Sequence, residues 1–264
     1  MNFNLTSYYL DKPLVVGRVF DVMVPEKVTQ DIAIFIVHGG GWRAGSRTSY
    51  HNIMEALSDL GYIVASTDYR LGAKNAFEQL KDIRESYDGF VSILKDMGRP
   101  LTIAVHGASA GAHLASLLVC ANPSECGEKV DLKNEWVKPI KAMLQATPTD
   151  FLPYESIMPH FWATMQGIAG VSYEENPDVY ERLSLKNYVR RDNPPIFFME
   201  AEREHIFAPK HTKKVVEAHN EMGIDSKWKM YEGVEHGFFF ALDRIAQKEA
   251  FSDLLAFLNG TLNV

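Results

Sequence analysis

Leu101–Gly111 reads LTIAVHGASAG, and the rest of the chain is arranged around it. Leu101, Ile103, Ala104 and Val105 form a short apolar run with a β-branched bias, which reads as a buried strand. Gly107-Ala108-Ser109-Ala110-Gly111 follows at once, and Leu114, Leu117 and Leu118 then recur at helical spacing. Strand, G-x-S-x-G and helix together form a nucleophile elbow. The glycines two positions either side of Ser109 are needed because the turn is too sharp for a Cβ there, and the serine itself is strained so that Oγ stands above the sheet. The helix starting behind it aims free N–H groups at the same point, where developing negative charge is stabilised.

Outward from the elbow, strands alternate with helices. Val15–Val24 reads as an early strand at an antiparallel edge, and Asp31–Val37 as a strand buried on both faces of a parallel sheet. Ser46–Leu60 reads as a helix closed by Gly61, Tyr62–Thr67 as a strand, and Asn75–Met97 as a long amphipathic helix stopped by Gly98 and Pro100. Ile140–Ala146, Pro195–Glu200 and Ser226–Tyr231 read as further strands, and Pro209–Met222 and Ile245–Leu258 as helices. This alternation predicts a mainly parallel central sheet with helices on both faces. Residues 151–193 break the pattern, being rich in aromatics and methionine and punctuated by proline and glycine. They are expected to form a small helical cap over the mouth of the sheet, most of whose aromatics pack it onto the body. Nothing asks for a boundary elsewhere, so residues 1–264 are read as one domain.

The 264 residues are 46% hydrophobic and 11% aromatic, enough for a sizeable core, and the formal net charge is −7. That balance argues against a nucleic-acid partner or an anionic membrane surface, both of which need a basic face. With no leader-like start and no membrane-length apolar run, the chain is expected to be cytoplasmic, provided no signal has been trimmed from it. Cys120 and Cys126 read as two unpaired thiols, a small surface disulfide being the alternative; no metal-ligand spacing appears and no cofactor is implied. HGGGWRAG (38–45) lacks the Lys-Ser/Thr of a phosphate loop.

A serine needs a base within hydrogen-bond reach, and the base needs an acid to fix its tautomer; on this kind of scaffold the order along the chain is Ser, acid, His. Of nine histidines, His236 in GVEHGF directly after the last strand is the one placed to reach back over the sheet, whereas His211 and His219 are expected to be solvated. The acid should follow Pro195–Glu200, where Glu200, Glu202 and Glu204 are the candidates.

HGGGWRAG (38–45), STDYRL (66–71), HGASAGAHLA (106–115), PPIFFMEAERE (194–204) and GVEHGF (233–238), in this order, resemble the α/β-hydrolase superfamily. The likeness is to small carboxylesterases and feruloyl-esterase-like hydrolases, with kinship to the hormone-sensitive-lipase family. The resemblance implies the α/β-hydrolase fold and a serine carboxylesterase taking a small-molecule ester through Ser109, His236 and an acid. The family's Gly-x-x-Asp before a Val-Pro-like pair falls on Ala201–Glu204 before Ile206–Pro209, with alanine for glycine and glutamate for aspartate, so it selects Glu204 with Glu202 as the alternative. It places the oxyanion hole at the N–H groups of Gly40, Gly41 and Ala110. It also makes His38 and Asp68 structural and lets Asp150 anchor the cap. Trp42 either walls the substrate pocket or packs. A cap this small fits short-chain acyl or aryl esters. The alternatives are a kynurenine-formamidase-like amidohydrolase, since HGG-x-W resembles that loop too, and a hydrolase-fold protein that binds without turnover. The sequence leaves the oligomeric state open.

Overall fold

A computed structural model describes residues 3–154 and 157–264. Among the described residues eight strands form one sheet: β1 (Phe3–Tyr9), β2 (Val19–Pro25), β3 (Ile32–Val37), β4 (Val64–Thr67), β5 (Thr102–Ala108), β6 (Lys141–Gln145), β7 (Ile196–Arg203) and β8 (Lys227–Glu235). Their spatial order is β1-β2-β4-β3-β5-β6-β7-β8. The pairs β1/β2 and β2/β4 are antiparallel and all others parallel. The expected antiparallel strand is therefore present as β2, but it is not the edge. That position belongs to β1, whose side chains are largely exposed and so carry no apolar alternation to read.

The α-helices among the described residues are α1 (His51–Asp59), α2 (Ala76–Asp96), α3 (Ala110–Cys120), α4 (Pro159–Ala169), α5 (Pro177–Arg182), α6 (Lys210–Glu221) and α7 (Ile245–Leu258). Side chains alternate across β3, so Phe35 and Val37 join one core with α2, α3 and α6, while Ile34 and Ile36 join the other with α1 and α7. Leu80, Ile83, Tyr87, Phe90, Val91 and Leu94 are the buried stripe of α2; burying a side chain of this size contributes on the order of 1.5–3 kcal/mol. Asn75 caps the helix by accepting from the Glu78 N–H at 3.2 Å, and Gly98 at φ +62 closes it. Every residue of α3 is buried, which its unbroken apolar composition requires.

Arg84 on α2 fixes the far end of α3. Its guanidinium donates to the carbonyls of Leu117 (3.1 Å) and Ala121 (3.0 Å) and pairs with buried Glu128 at 2.6 Å. A cation there satisfies the last carbonyls and opposes the negative end of the helix dipole. Between β6 and β7, α4, α5 and a 3-10 turn (Leu185–Tyr188) pack through Phe151, Trp162, Tyr173 and Tyr180. Asp150 at the entry to this segment pairs with His211 of α6 at 3.0 Å, so His211 is engaged rather than simply solvated. His219 also departs from the sequence reading: it is fully buried, with Nδ1 2.8 Å from Ser226 Oγ. Cys120 and Cys126 are unpaired and buried, and burial pushes both thiols up to about 12. Among the described residues no helix is long and apolar enough to cross a membrane.

Candidate active site

The loops leaving the carboxyl ends of β3, β5, β7 and β8 converge on one cavity, as expected where ligands enter an open α/β sheet. Ser109 links β5 to α3 at φ +53, ψ −122, a conformation that costs a non-glycine residue about 1–3 kcal/mol. The neighbouring glycines make room for it. A Cβ on Gly107 would stand 2.7 Å from the Gly111 carbonyl oxygen, and one on Gly111 would be driven into the carbonyls of Val37 and His38. The Ser109 N–H donates to the Gln145 carbonyl at 2.8 Å, anchoring the turn on β6.

His236 follows β8 directly. Its Nε2 lies 2.8 Å from Ser109 Oγ and its Nδ1 2.7 Å from Glu204 Oε2. The carboxylate is an acceptor, so Nδ1 carries the proton and Nε2 is left to accept from the serine hydroxyl. The Glu204 side chain is fully buried, and its second oxygen accepts from the N–H groups of Ile206 (2.7 Å) and Phe207 (3.1 Å). Burial alone would raise this carboxyl. The hydrogen bond from His236 and its electrostatic attraction, with the two backbone N–H groups, outweigh it and hold the carboxyl below its ordinary range. Glu202 instead accepts from the Gly233 N–H at 2.8 Å on the exposed side, and Glu200 is buried and hydrogen-bonded to Thr212 Oγ1 at 2.8 Å. Of the three glutamates, Glu204 is the one brought to His236.

The loop His38–Gly45 faces Ser109 across the cavity. Gly40 at φ +123 accepts at its carbonyl from the N–H groups of Arg43 (3.2 Å) and Ala44 (2.9 Å), folding the loop back; a Cβ on Gly40 would strike the Ala44 carbonyl. Among the described residues, none accepts a hydrogen bond from the N–H of Gly40, Gly41 or Ala110. Gly40 and Gly41 line the same cavity as Ser109, and Ala110 is the first residue of α3, at its positive end. His38 braces the loop by donating from Nδ1 to the Gly39 carbonyl (2.7 Å) and stacking on Tyr69 at 4.4 Å. Asp68 accepts from the backbone and guanidinium of Arg47, each at 2.6 Å.

Trp42 borders the cavity but is only 2% exposed. Its indole N–H donates to His113 Nδ1 at 3.2 Å, and His113 Nε2 donates to the Leu183 carbonyl at 2.7 Å. Burial lowers His113 to about 4, which keeps it in this neutral form. The sequence reading missed His113, and with it Gln79, which donates to the Trp42 carbonyl at 2.8 Å, and Gln145. The Gln145 side-chain oxygen, in the amide orientation that satisfies both contacts, accepts from the N–H groups of Phe238 (2.8 Å) and Phe239 (3.2 Å) and so holds the loop after His236. For His113 in AGAHLASLL and Gln145 at the end of AMLQ the signal is a polar residue beside an apolar run, which must be hydrogen-bonded if buried; Gln79, among Glu78, Lys81 and Asp82, offers none.

The sequence model of the BD-FAE family matches residues 20–218. The chain belongs to the BD-FAE family. A second model, that of the dienelactone hydrolase family, matches residues 181–262, so Ser109 and Glu204 lie within the BD-FAE match and His236 within the second. The chain is 25% identical over 237 residues to esterase LipQ of Mycobacterium tuberculosis (strain ATCC 25618 / H37Rv), covering 85% of this chain and 55% of LipQ. It is 30% identical over 103 residues to kynurenine formamidase of Drosophila melanogaster, covering 39% of this chain and 34% of that protein. It therefore spans little more than half the length of LipQ and about a third of the formamidase. The structure superposes on the crystal structure of esterase B from Lactobacillus Rhamnosis with a TM-score of 0.79 at 18% identity, covering 98% of this chain and 86% of that one. This BD-FAE chain has the α/β-hydrolase fold.

Proposed function

We propose that this protein is a serine carboxylesterase acting on short-chain acyl or aryl esters. The observation that carries the reading is the unbroken hydrogen-bonded path from Ser109 Oγ through His236 to buried Glu204, at the edge of a cavity of about 540 Å³. Ser109 attacks the ester carbonyl while His236 Nε2 takes its proton. The N–H groups of Gly40, Gly41 and Ala110 hold the resulting oxyanion, each such donor contributing about 2.7–4 kcal/mol to the transition state. His236 then returns the proton to the departing alcohol, and water hydrolyses the acyl-enzyme by the same route. Glu204 keeps the imidazole in the required tautomer and stabilises its cation. Phe161, Ile206, Phe207 and Phe240 give the cavity apolar walls suited to a small acyl or aryl group.

The match to a kynurenine formamidase favours one second reading, since an N-formyl carbonyl is attacked by the same apparatus. Hydrolysis of p-nitrophenyl acetate, butyrate and octanoate beside N-formylkynurenine separates the two. The esterase reading predicts turnover of the shorter esters above both the octanoate and the amide, with loss of at least about 10³-fold in Ser109→Ala. Faster formamide cleavage would give the second reading, and ester turnover that survives Ser109→Ala would refute both. Tight ligand binding without turnover would leave a hydrolase-fold binding protein.

A further inference from the structure

We propose that Arg43 makes this site selective for esters that carry a carboxylate elsewhere in the molecule, on the acyl or the alcohol part. The proposal rests on the esterase reading and adds a substrate class to it. The cavity is walled mainly by glycine backbone and by apolar and aromatic side chains, and among the described residues lining it only Arg43 bears a permanent charge. Among the described residues no aspartate or glutamate lines it, and Glu204 lies buried behind His236. His38 is neutral: burial lowers its pKa, outweighing the Gly39 hydrogen bond and the charge of Asp68.

Arg43 is exposed and forms no ion pair or side-chain hydrogen bond with any described residue. Arg18, Arg47, Arg70, Arg84, Arg99, Arg190 and Arg244 each hold a carboxylate. Arg43, Arg182, Arg191 and Arg203 hold none among the described residues, and of these four Arg43 alone lines the cavity. The guanidinium rests on the cap side of the cavity. It lies against α4 at Gly167, where a Cβ would overlap it, and glycine inside a helix costs about 0.5–1 kcal/mol relative to alanine.

The base of the side chain is fixed by the loop that offers the oxyanion donors: the Arg43 N–H is bonded to the Gly40 carbonyl and Gln79 holds the Trp42 carbonyl. A carboxylate taken by the planar guanidinium fork is therefore held within the reach of this side chain from the scissile carbonyl. The net charge of −7 offers such a substrate no general attraction, so the recognition is local.

The test uses two pairs of esters differing in charge, monophenyl adipate with phenyl hexanoate and 4-acetoxybenzoate with 4-acetoxytoluene. In the wild type, kcat/KM favours the anionic member of at least one pair by about tenfold or more, chiefly through KM, and high salt narrows the ratio. In Arg43→Gln the ratio falls to within roughly threefold of unity, and Arg43→Lys keeps part of it. A wild-type ratio at or below one in both pairs, or a preference that survives Arg43→Gln, overturns the proposal. If no ester is turned over, the esterase reading fails, and calorimetric binding of monophenyl adipate decides separately. Binding that Arg43→Gln abolishes supports an anion site, and its absence in the wild type refutes one.

Discussion

Glu204 carries out two tasks at once, and its length suits them. One carboxylate oxygen faces His236 Nδ1 while the other is held by the N–H groups of Ile206 and Phe207, so the side chain has no freedom to turn away. Glu204→Gln keeps the shape but replaces the acceptor and its charge, which favours the wrong imidazole tautomer. Steady-state kinetics should show kcat lower by about 10³–10⁴-fold, against less than about threefold for Glu202→Gln. Equal losses in the two variants would contradict the assignment. The sequence offered three glutamates, and strand alternation alone would put Glu200 and Glu202 on one side. The pairing of β7 with β8 shifts register between Ala201 and Arg203, which breaks that alternation. A bulge of this kind depends on the partner strand, so nothing local in PIFFMEAERE announces it.

At the scale of the element, what could be read depended on whether burial followed a simple period. The bounds of α2 and α7 lay within a residue or so of those read from spacing, because stripe and caps are local. β8 runs on to Glu235, past the expected Tyr231, since Gly233 at φ +69 lies within the strand although it reads as a turn. His219 sits in the charged sequence KHTKKVVEAHNE, yet its face of α6 is turned toward Ser226. The partners of the side chains that hold the site loops, His113, Gln79 and Gln145, could not be read for a related reason. Leu183, Trp42 and Phe238 are distant in sequence, so only the assembled fold supplies them.

For the whole molecule, the buried ionisable groups set an acid limit. His106, His113 and His219 are fully buried, and burial lowers each to about 4, against about 6.5 for an unperturbed imidazole. Between those values the unfolded chain binds protons that the folded chain refuses. Their contribution to stability is therefore complete above pH 6.5 and lost as the pH falls toward 4, each with a slope of up to about 1.4 kcal/mol per pH unit. Buried Glu200 acts in the opposite sense: burial raises its carboxyl, so its contribution falls as the pH rises above the ordinary range near 4.3. Three histidines against one carboxyl leave a net decline toward acid. Urea denaturation at pH 7.5, 6 and 5 should show it, and stability that is flat or rising toward pH 5 would contradict the burial of these groups as neutral species. The central claim is that Ser109 is a nucleophile armed by His236, and trapping tests it most directly. On incubation with diethyl p-nitrophenyl phosphate, followed by intact mass and peptide mapping, the account predicts one diethylphosphoryl group per chain, on the peptide containing Ser109, and none in Ser109→Ala. An unmodified Ser109 peptide, or an adduct that persists in Ser109→Ala, would contradict it.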